Sequence, residues 1–279
     1  MKLIGITGGK GGTGKSTVAT AFAVELGKKH KVLLVDMDVD CPNDHLIINI
    51  ERKELKTVYQ RVPKWNYDKC TNCGLCGDVC KTNAIISIKD KKPIFIPAQC
   101  NGCGSCVITC PEKAISWNKK EIGKVYSGIN YGIDFLSGEL KISEPVSEFI
   151  VNSVNEIIEL KKHNYDYIII DTAAGTHCDV IAALEVCDYI YAVTEPTPLG
   201  EHDAELIIKL AITMNKPYDV ILNRFEGTDS TITSMLNKFN KTIAFKIPYK
   251  KSILEQYSQG IPVEDESIKQ ITRRIQNES

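Results

Sequence analysis

Eight of the eleven cysteines share one spacing that occurs twice in the chain. The pattern C-x2-C-x2-C-x3-C is formed by Cys70, Cys73, Cys76 and Cys80, and again by Cys100, Cys103, Cys106 and Cys110. Thiolates at such short spacing ligate soft metal ions or iron–sulfur clusters. A zinc site would use one C-x2-C pair, but three tandem cysteines overcrowd a tetrahedral ion. A disulfide framework is the other alternative, and we expect no secretory segment that would support it.

The doubled cysteine pattern, which ends in Pro111, resembles that of bacterial ferredoxins with two [4Fe–4S] clusters. In that family the fourth cysteine of each run ligates the cluster of the other run. The resemblance therefore implies one cluster on Cys70, Cys73, Cys76 and Cys110, and a second on Cys100, Cys103, Cys106 and Cys80.

A glycine-rich segment follows the apolar stretch 2–7 near the start of the chain. From Gly9 it reads G-x-x-x-x-G-K-S, and an alanine-rich helical stretch continues to about Lys29. A strand, a glycine loop and a helix N-terminus together form a phosphate site. We expect Lys15 to reach the β- and γ-phosphates and the Ser16 hydroxyl to bind Mg²⁺. The predicted nucleotide contacts in this loop are Gly9, Gly11, Gly12, Thr13, Gly14, Lys15, Ser16 and Thr17.

A second lysine inside the loop, Lys10, makes this segment resemble the deviant Walker A motif of the MinD/ParA family. That family includes the Mrp-type ATPases and the nitrogenase iron protein. The resemblance implies an ATPase that binds ATP, ADP and Mg²⁺. It also implies an ATP-dependent homodimer in which Lys10 contacts the nucleotide of the other subunit.

Other motifs continue the resemblance to the MinD/ParA family. By this match Asp36, at the end of a buried strand, lies near the magnesium, and Asp38 orients the attacking water. Asp171 ends the Walker B strand and is a further magnesium-site residue. Asn223 resembles the asparagine that contacts adenine, and Pro248 lies in the late loop that packs against the base.

The order of predicted elements sets the fold class. Apolar strands near 2–7, 31–36, 165–171, 188–194, 218–222 and 243–247 alternate with helical stretches. This order predicts an α/β fold with a doubly wound, mostly parallel sheet. We assign residues 1–59 and 119–279 to the ATPase domain, and 60–118 to an inserted α+β ferredoxin-like domain. A C-terminal isoleucine stripe, 268, 271 and 275, is interpreted as core packing rather than a membrane-surface helix.

The net charge and the length of the apolar stretches indicate which partners and which location to expect. The formal net charge is −1, so no general electrostatic attraction to nucleic acid is expected. No apolar stretch approaches the length of a membrane-spanning helix. We expect a cytoplasmic protein that binds neither nucleic acid nor membrane.

Three cysteines lie outside the two runs. Cys41 is interpreted as a loop thiol and Cys187 as a small apolar residue that closes a helix. Cys178 follows Asp171 by seven positions, the offset of a cluster ligand in the nitrogenase iron protein. We expect Cys178 to be a buried apolar residue, and a bridging metal ligand is the alternative.

Three functions fit these motifs. The leading hypothesis is an ATPase whose nucleotide state gates electron transfer through the two clusters to a redox partner protein. The alternative is an iron–sulfur cluster carrier of the Mrp type, although no cysteine follows Cys187 to form the C-terminal C-x-x-C of that group. A spatial-organising switch would need a membrane anchor or a basic surface.

Overall fold

The structure, a computed structural model, describes residues 1–88 and 90–277. The strands in this part of the chain are β1 (Lys2–Gly8), β2 (Val32–Met37), β3 (Lys53–Trp65), β4 (Ile85–Ile86), β5 (Ile94–Phe95), β6 (Ile115–Asn130), β7 (Ile133–Leu140), β8 (Tyr167–Ala174), β9 (Tyr189–Thr194), β10 (Tyr218–Phe225) and β11 (Ile243–Pro248). One sheet has the spatial order β11-β10-β9-β1-β8-β2-β7-β6-β3, and β4 pairs separately with β5.

The sheet is parallel from β11 to β7. Its central strands are short runs of Ile, Val and Leu that are buried along almost their whole length, as in β8. Strands of this kind need helices on both faces, because neither face can be left in water. The prediction of an α/β fold with a mostly parallel sheet is therefore confirmed.

Helices cover both faces of the sheet. Those in the described part of the chain are α1 (Lys15–Gly27), α2 (Asp44–Ile47), α3 (Leu75–Asp78), α4 (Ser105–Thr109), α5 (Glu148–Lys161), α6 (Cys178–Glu185), α7 (Pro198–Thr213), α8 (Ser230–Asn237), α9 (Lys251–Ser258) and α10 (Glu266–Asn277). One core cluster packs α5 to α8 against the sheet, and the other packs α1 and α10. Ile268, Ile271 and Ile275 are buried in the second cluster, which confirms their interpretation as core residues.

One edge of the sheet is antiparallel, and the sequence did not predict its strands. β6 turns into β7 through Tyr131 and Gly132, both at positive φ, as a two-residue hairpin turn requires. β3 pairs antiparallel with β6 from Lys53 opposite Ser127 to Trp65 opposite Ile115. The two strands thus form a long ribbon beyond β7, and positions 60 and 118 lie within it.

Residues 66–114, here called the cysteine segment, occupy the end of this ribbon. After the first cysteine run, β4 and β5 form a short antiparallel hairpin. The strand that follows the second run is different, because it starts at Ile115 as the beginning of β6 and pairs with β3. Few apolar side chains are buried here, chiefly Ala84, Ile85 and the two cysteines 100 and 106.

Within the described residues, no helix has both the length and the apolar character needed to cross a membrane.

Candidate functional site

The glycine-rich loop connects β1 to the N-terminus of α1. Gly12 and Gly14 have φ of 83° and 91°, a backbone region that disfavours other residues. A Cβ on Gly14 would lie 2.2 Å from the Asn223 amide nitrogen. The Lys15 ammonium folds back towards the Lys10 carbonyl at 3.4 Å. This conformation aims backbone N–H groups and one buried cation at the mouth of a cleft.

The cleft has a volume of about 310 Å³ and combines the predicted phosphate loop with an apolar wall. The predicted residues that line it are Gly11, Gly12, Gly14, Lys15, Ser16, Thr17, Asp38, Asn223 and Pro248. The wall opposite the loop comes from Tyr249 and from α9, including Tyr257. A cleft with a polar end beside the glycine loop and an aromatic end fits a nucleotide, whose phosphates would lie at the polar end and whose base would lie at the aromatic end.

Two of the predicted nucleotide contacts in the loop, Gly9 and Thr13, lie outside this lining. Gly9 packs against Asp203 of α7, where a Cβ would lie 2.4 Å from the Asp203 Cβ. Thr13 is buried, and its carbonyl accepts a 2.8 Å hydrogen bond from the Asn223 amide. Asn223 therefore supports the loop as well as lining the cleft.

Lys10 lies in an ion-pair network. Its ammonium donates to Glu195 at 2.5 Å, and Arg224 approaches the other Glu195 oxygen at 3.3 Å. Although burial opposes it, the hydrogen bond and charge of Lys10 lower the pKa of Glu195. In this conformation Lys10 points at its own chain, and its predicted contact with a second subunit stays a prediction.

Carboxylates gather beneath the loop. Asp171 accepts a 2.6 Å hydrogen bond from the Ser16 hydroxyl. Asp36 accepts from the backbone N–H groups of Asp38, Asn43 and Asp44 at 2.9–3.1 Å. Asp44, which the sequence analysis missed, joins Asp36 and Asp171 with oxygens within 4.8 Å of one another.

Burial governs the protonation of these groups. It raises the pKa of Asp171 to about 7, although the Ser16 hydroxyl and the Lys15 charge oppose it. Burial and the Asp171 charge together raise the pKa of Asp36 and Asp44 well above the usual range. Asp38 is less buried, and Lys15 partly offsets the rise of its pKa. A buried set of carboxylate oxygens next to a hydroxyl has the donor chemistry that Mg²⁺ prefers.

The eight repeated cysteines line two cavities in the cysteine segment. Cys70, Cys73, Cys76 and Cys110 line the first, together with Ser87 and Lys91. Cys80, Cys100, Cys103 and Cys106 line the second, together with Trp117. The structure thus brings together the four cysteines that the ferredoxin resemblance implies for each cluster; their ligation of iron stays a prediction.

Local hydrogen bonds fit sulfur ligands that carry negative charge. Backbone N–H groups of Gly102 and Ala114 donate to the sulfurs of Cys100 and Cys110 at 3.4 and 3.3 Å. A hydrogen bond from Ser105 lowers the pKa of Cys103, whereas burial raises the pKa of Cys106 to about 11. The donor set of four thiols per cavity fits a [4Fe–4S] cluster.

The three cysteines outside the two sets differ in how deeply they are buried. Cys187 is buried, and burial raises its pKa to about 12, in agreement with a structural role. Cys41 is exposed in its loop. The expectation that Cys178 is buried was wrong: it is exposed at the first position of α6.

Comparison with known proteins places the fold and the cleft in context. Residues 4–263 match the family model described as the CobQ/CobB/MinD/ParA nucleotide binding domain. The chain belongs to this family. It is therefore a nucleotide-binding member of the MinD/ParA group of P-loop ATPases.

Relatives of this family member include an uncharacterised protein of Methanocaldococcus jannaschii. The two are 37% identical over 265 residues, which cover 93% of this chain and 90% of the relative. The septum site-determining protein MinD of Thermotoga maritima is 23% identical over 286 residues, 99% of this chain and 85% of that protein.

Solved MinD structures share the fold. The cell division ATPase MinD of Pyrococcus furiosus superposes with a TM-score of 0.63 at 19% identity, over 100% of this chain and 99% of that one. MinD of Pyrococcus horikoshii, solved with Mg-ADP, gives 0.62 at 19% identity, over 98% and 95%.

Two site residues were missed from the sequence. Asp44 offers a weak signal, the fourth acidic residue of the run that starts at Asp36, eight positions later. Glu195 directly follows the end of β9, where side chains of a parallel sheet approach ligands.

Proposed function

We propose that this protein is an ATPase whose nucleotide state gates electron transfer through two [4Fe–4S] clusters to a partner protein. The clusters would supply one-electron redox chemistry. The chain's own part is to hold them with two sets of four cysteines, and to change the surroundings of one set when nucleotide is bound or hydrolysed.

The nucleotide cycle assigns distinct roles to the residues of the cleft. Lys15 and the loop N–H groups would bind the phosphates, and Ser16 would ligate Mg²⁺ with Asp36 and Asp171 close by. Asp38 lines the cleft and would orient the attacking water. Lys10, released from Glu195, would contact the nucleotide of a second copy and so favour a homodimer when ATP is bound.

The observation that carries the coupling is a run of contacts from the cleft to Cys100. It begins in residues 36–44, here called the switch segment, which contain Asp36 and Asp38. The N–H of Leu140 donates to the carbonyl of Val39 at 2.7 Å. The next N–H, of Lys141, donates to the carbonyl of Ile122 in β6 at 2.8 Å. A movement of the switch segment therefore acts directly on the ribbon.

The ribbon in turn contacts the second cysteine set. Lys120 of β6 pairs with the buried side chain of Glu144 at 2.7 Å and donates to the carbonyl of Pro97 at 3.1 Å. The positive charge of Lys120 also opposes the burial that raises the pKa of Cys100. Gln60 of β3, itself buried, donates to the Cys100 carbonyl at 2.8 Å. Both strands of the ribbon thus hold the backbone that carries Cys100.

Anaerobic reconstitution tests the proposal. Each chain should take up about eight iron and eight sulfide, because eight cysteines give complete ligation of two clusters. Cys73→Ser should lower that content, while Cys41→Ser, the matched exposed thiol outside the two sets, should not. ATP added to an Asp38→Ala protein should shift the reduction potential of the second cluster, and Lys120→Met should diminish this shift.

The competing carrier function predicts a different result. With an apo-acceptor protein and ATP, a redox switch should transfer electrons and keep its iron. Iron that moves to the acceptor on ATP addition would contradict the proposal and support the carrier function.

A further inference from the structure

Asp44 has a buried carboxylate that nothing in the fold accounts for. It is the first residue of α2 and has no exposed surface, and neither of its side-chain oxygens has a hydrogen-bond partner. Buried carboxylates are almost always paired with a donor or a cation, because removal from water strongly disfavours their charged form.

The neighbours of Asp44 are acceptors rather than donors. Oxygens of Asp36, Asp44 and Asp171 all lie within 4.8 Å of one another. The second oxygen of Asp171 is also buried without a partner, and its first is taken by Ser16. The nearby positive charge of Lys15 opposes the rise of the pKa of Asp44, but it is one charge against three carboxylates.

The spacing of these oxygens suits one divalent ion. Opposite ligands of Mg²⁺ stand about 4.2 Å apart and those of Ca²⁺ up to about 5 Å, twice the metal–oxygen distance. Carboxylate oxygens are ligands that suit hard cations such as Mg²⁺ or Mn²⁺. The three side chains come from the end of β2, the start of α2 and β8, so the fold itself brings them together.

We propose that Asp44 completes a divalent-cation site with Asp36 and Asp171 that takes Mg²⁺ or Mn²⁺ before any nucleotide binds. This inference deepens the proposed nucleotide site, but its test uses no nucleotide. The bound ion would neutralise the carboxylate cluster and hold α2 in place. Because Asp44 ends the switch segment, the bound cation would fix the conformation of that segment before ATP binds.

Equilibrium dialysis of the cluster-loaded protein against Mn²⁺, without nucleotide, tests the proposal. The unmodified protein should bind about one Mn²⁺ per chain, and Mg²⁺ should displace it. Asp44→Asn should weaken Mn²⁺ binding at least tenfold. Asp40→Asn, which removes an exposed carboxylate from the same segment, should change it less than threefold.

A second variant keeps the test independent of the ATPase proposal and of folding defects. Lys15→Ala should lose ATP binding yet retain Mn²⁺ binding, because it removes a phosphate ligand and a like charge. Mn²⁺ binding that is retained by Lys15→Ala and lost by Asp44→Asn would support the cation site even if the protein did not hydrolyse ATP. Mn²⁺ binding that needs ATP, or that Asp44→Asn leaves unchanged, would overturn the proposal. If circular dichroism shows Asp44→Asn unfolded, Mn²⁺ binding by the unmodified and Lys15→Ala proteins decides it.

Discussion

The nucleotide cleft and the cysteine segment place their reactive groups in opposite surroundings. The cleft carboxylates lie beneath a large sheet whose core clusters contain many buried aliphatic side chains. The cysteines lie in a segment whose two small clusters include the cysteines themselves as core members. The first site can be formed by the fold alone. The second contains little apolar surface, so the clusters proposed for it would contribute to its folding.

The sharpest test of this comparison removes the metal. Cys70→Ser combined with Cys100→Ser takes one ligand from each predicted cluster. We expect loss of most iron and of amide-exchange protection across residues 66–114, since metal binding contributes on the order of 10 kcal/mol to folding of small metal domains. Protection in β8 should stay unchanged.

Cys41→Ser is the control for that double substitution, and it should keep both iron and protection. An iron-free protein with a fully protected cysteine segment would show that the two regions fold by the same means.

Substitutions in the cleft should instead affect ATP binding and ATP hydrolysis separately. Lys15→Ala should abolish ATP binding, because the buried ammonium is a phosphate ligand. Asp38→Ala should keep binding and lower the rate constant for hydrolysis by roughly 10²–10⁴-fold, the usual effect of losing a group that assists proton transfer from water. Fluorescent-nucleotide titration and phosphate release measure the two quantities. Normal turnover by Asp38→Ala would remove its assigned role.

The buried carboxylates should also give the cleft a pH dependence. Burial raises the pKa of Asp171 to about 7 in the native state, so between pH 4 and 7 the native state binds more protons than the unfolded state. The free energy of unfolding should therefore fall as pH rises from about 4 to 7. Asp171→Asn should lessen this dependence, to which Asp36 and Asp44 also contribute, and add roughly 1–4 kcal/mol at pH 8.

Thermal unfolding without nucleotide or divalent cation, at pH 5 and pH 8, measures that effect. Asp78→Asn, an exposed carboxylate of the cysteine segment, is the matched control. No stabilisation by Asp171→Asn at pH 8 would show that the buried carboxylates are already compensated, and equal stabilisation by Asp78→Asn would show a general effect of net charge.

The smallest effect concerns Lys10, whose ammonium is paired with Glu195 of its own chain. ATP should convert an Asp38→Ala monomer into a dimer, and Lys10→Ala should prevent this. Glu195→Gln should tighten the ATP-bound dimer about threefold, because a partly exposed ion pair is worth about 0.5–1 kcal/mol. Light scattering over a concentration series measures both. An unchanged monomer mass with ATP would contradict the proposed dimer. Equal dimerisation with and without the Glu195→Gln substitution would show that Glu195 does not compete with the second subunit's nucleotide for Lys10.

Sequence reasoning succeeded where local pattern determines structure. The strand, loop and helix around Lys15 and the buried run before Asp171 are continuous in sequence, so their periodicity is visible. The grouping of Cys110 with the first run, and of Cys80 with the second, came from a resemblance.

It failed where partners are distant in the chain. β3 and β6 carry many charged residues because one face of the ribbon is exposed, and pairing across fifty or more positions leaves no local signal. Asp44 was missed because its importance depends on burial beside Asp171, and Cys178 because a helix start can face solvent. The burial or exposure of these residues depends on the tertiary structure, and the spacing of residues along the chain does not show it.

The pairing of Trp65 with Ile115 means that the cysteine segment leaves and rejoins the sheet at one place. A two-residue turn between these neighbours would keep every hydrogen bond of the ribbon. The cysteine segment is therefore a topological appendage, which can be lengthened, exchanged or removed as one piece while the nucleotide-binding sheet keeps its register. On the proposed function, a redox unit is joined to an ATPase at this one place in the chain, so either could change in length without shifting the strands of the other.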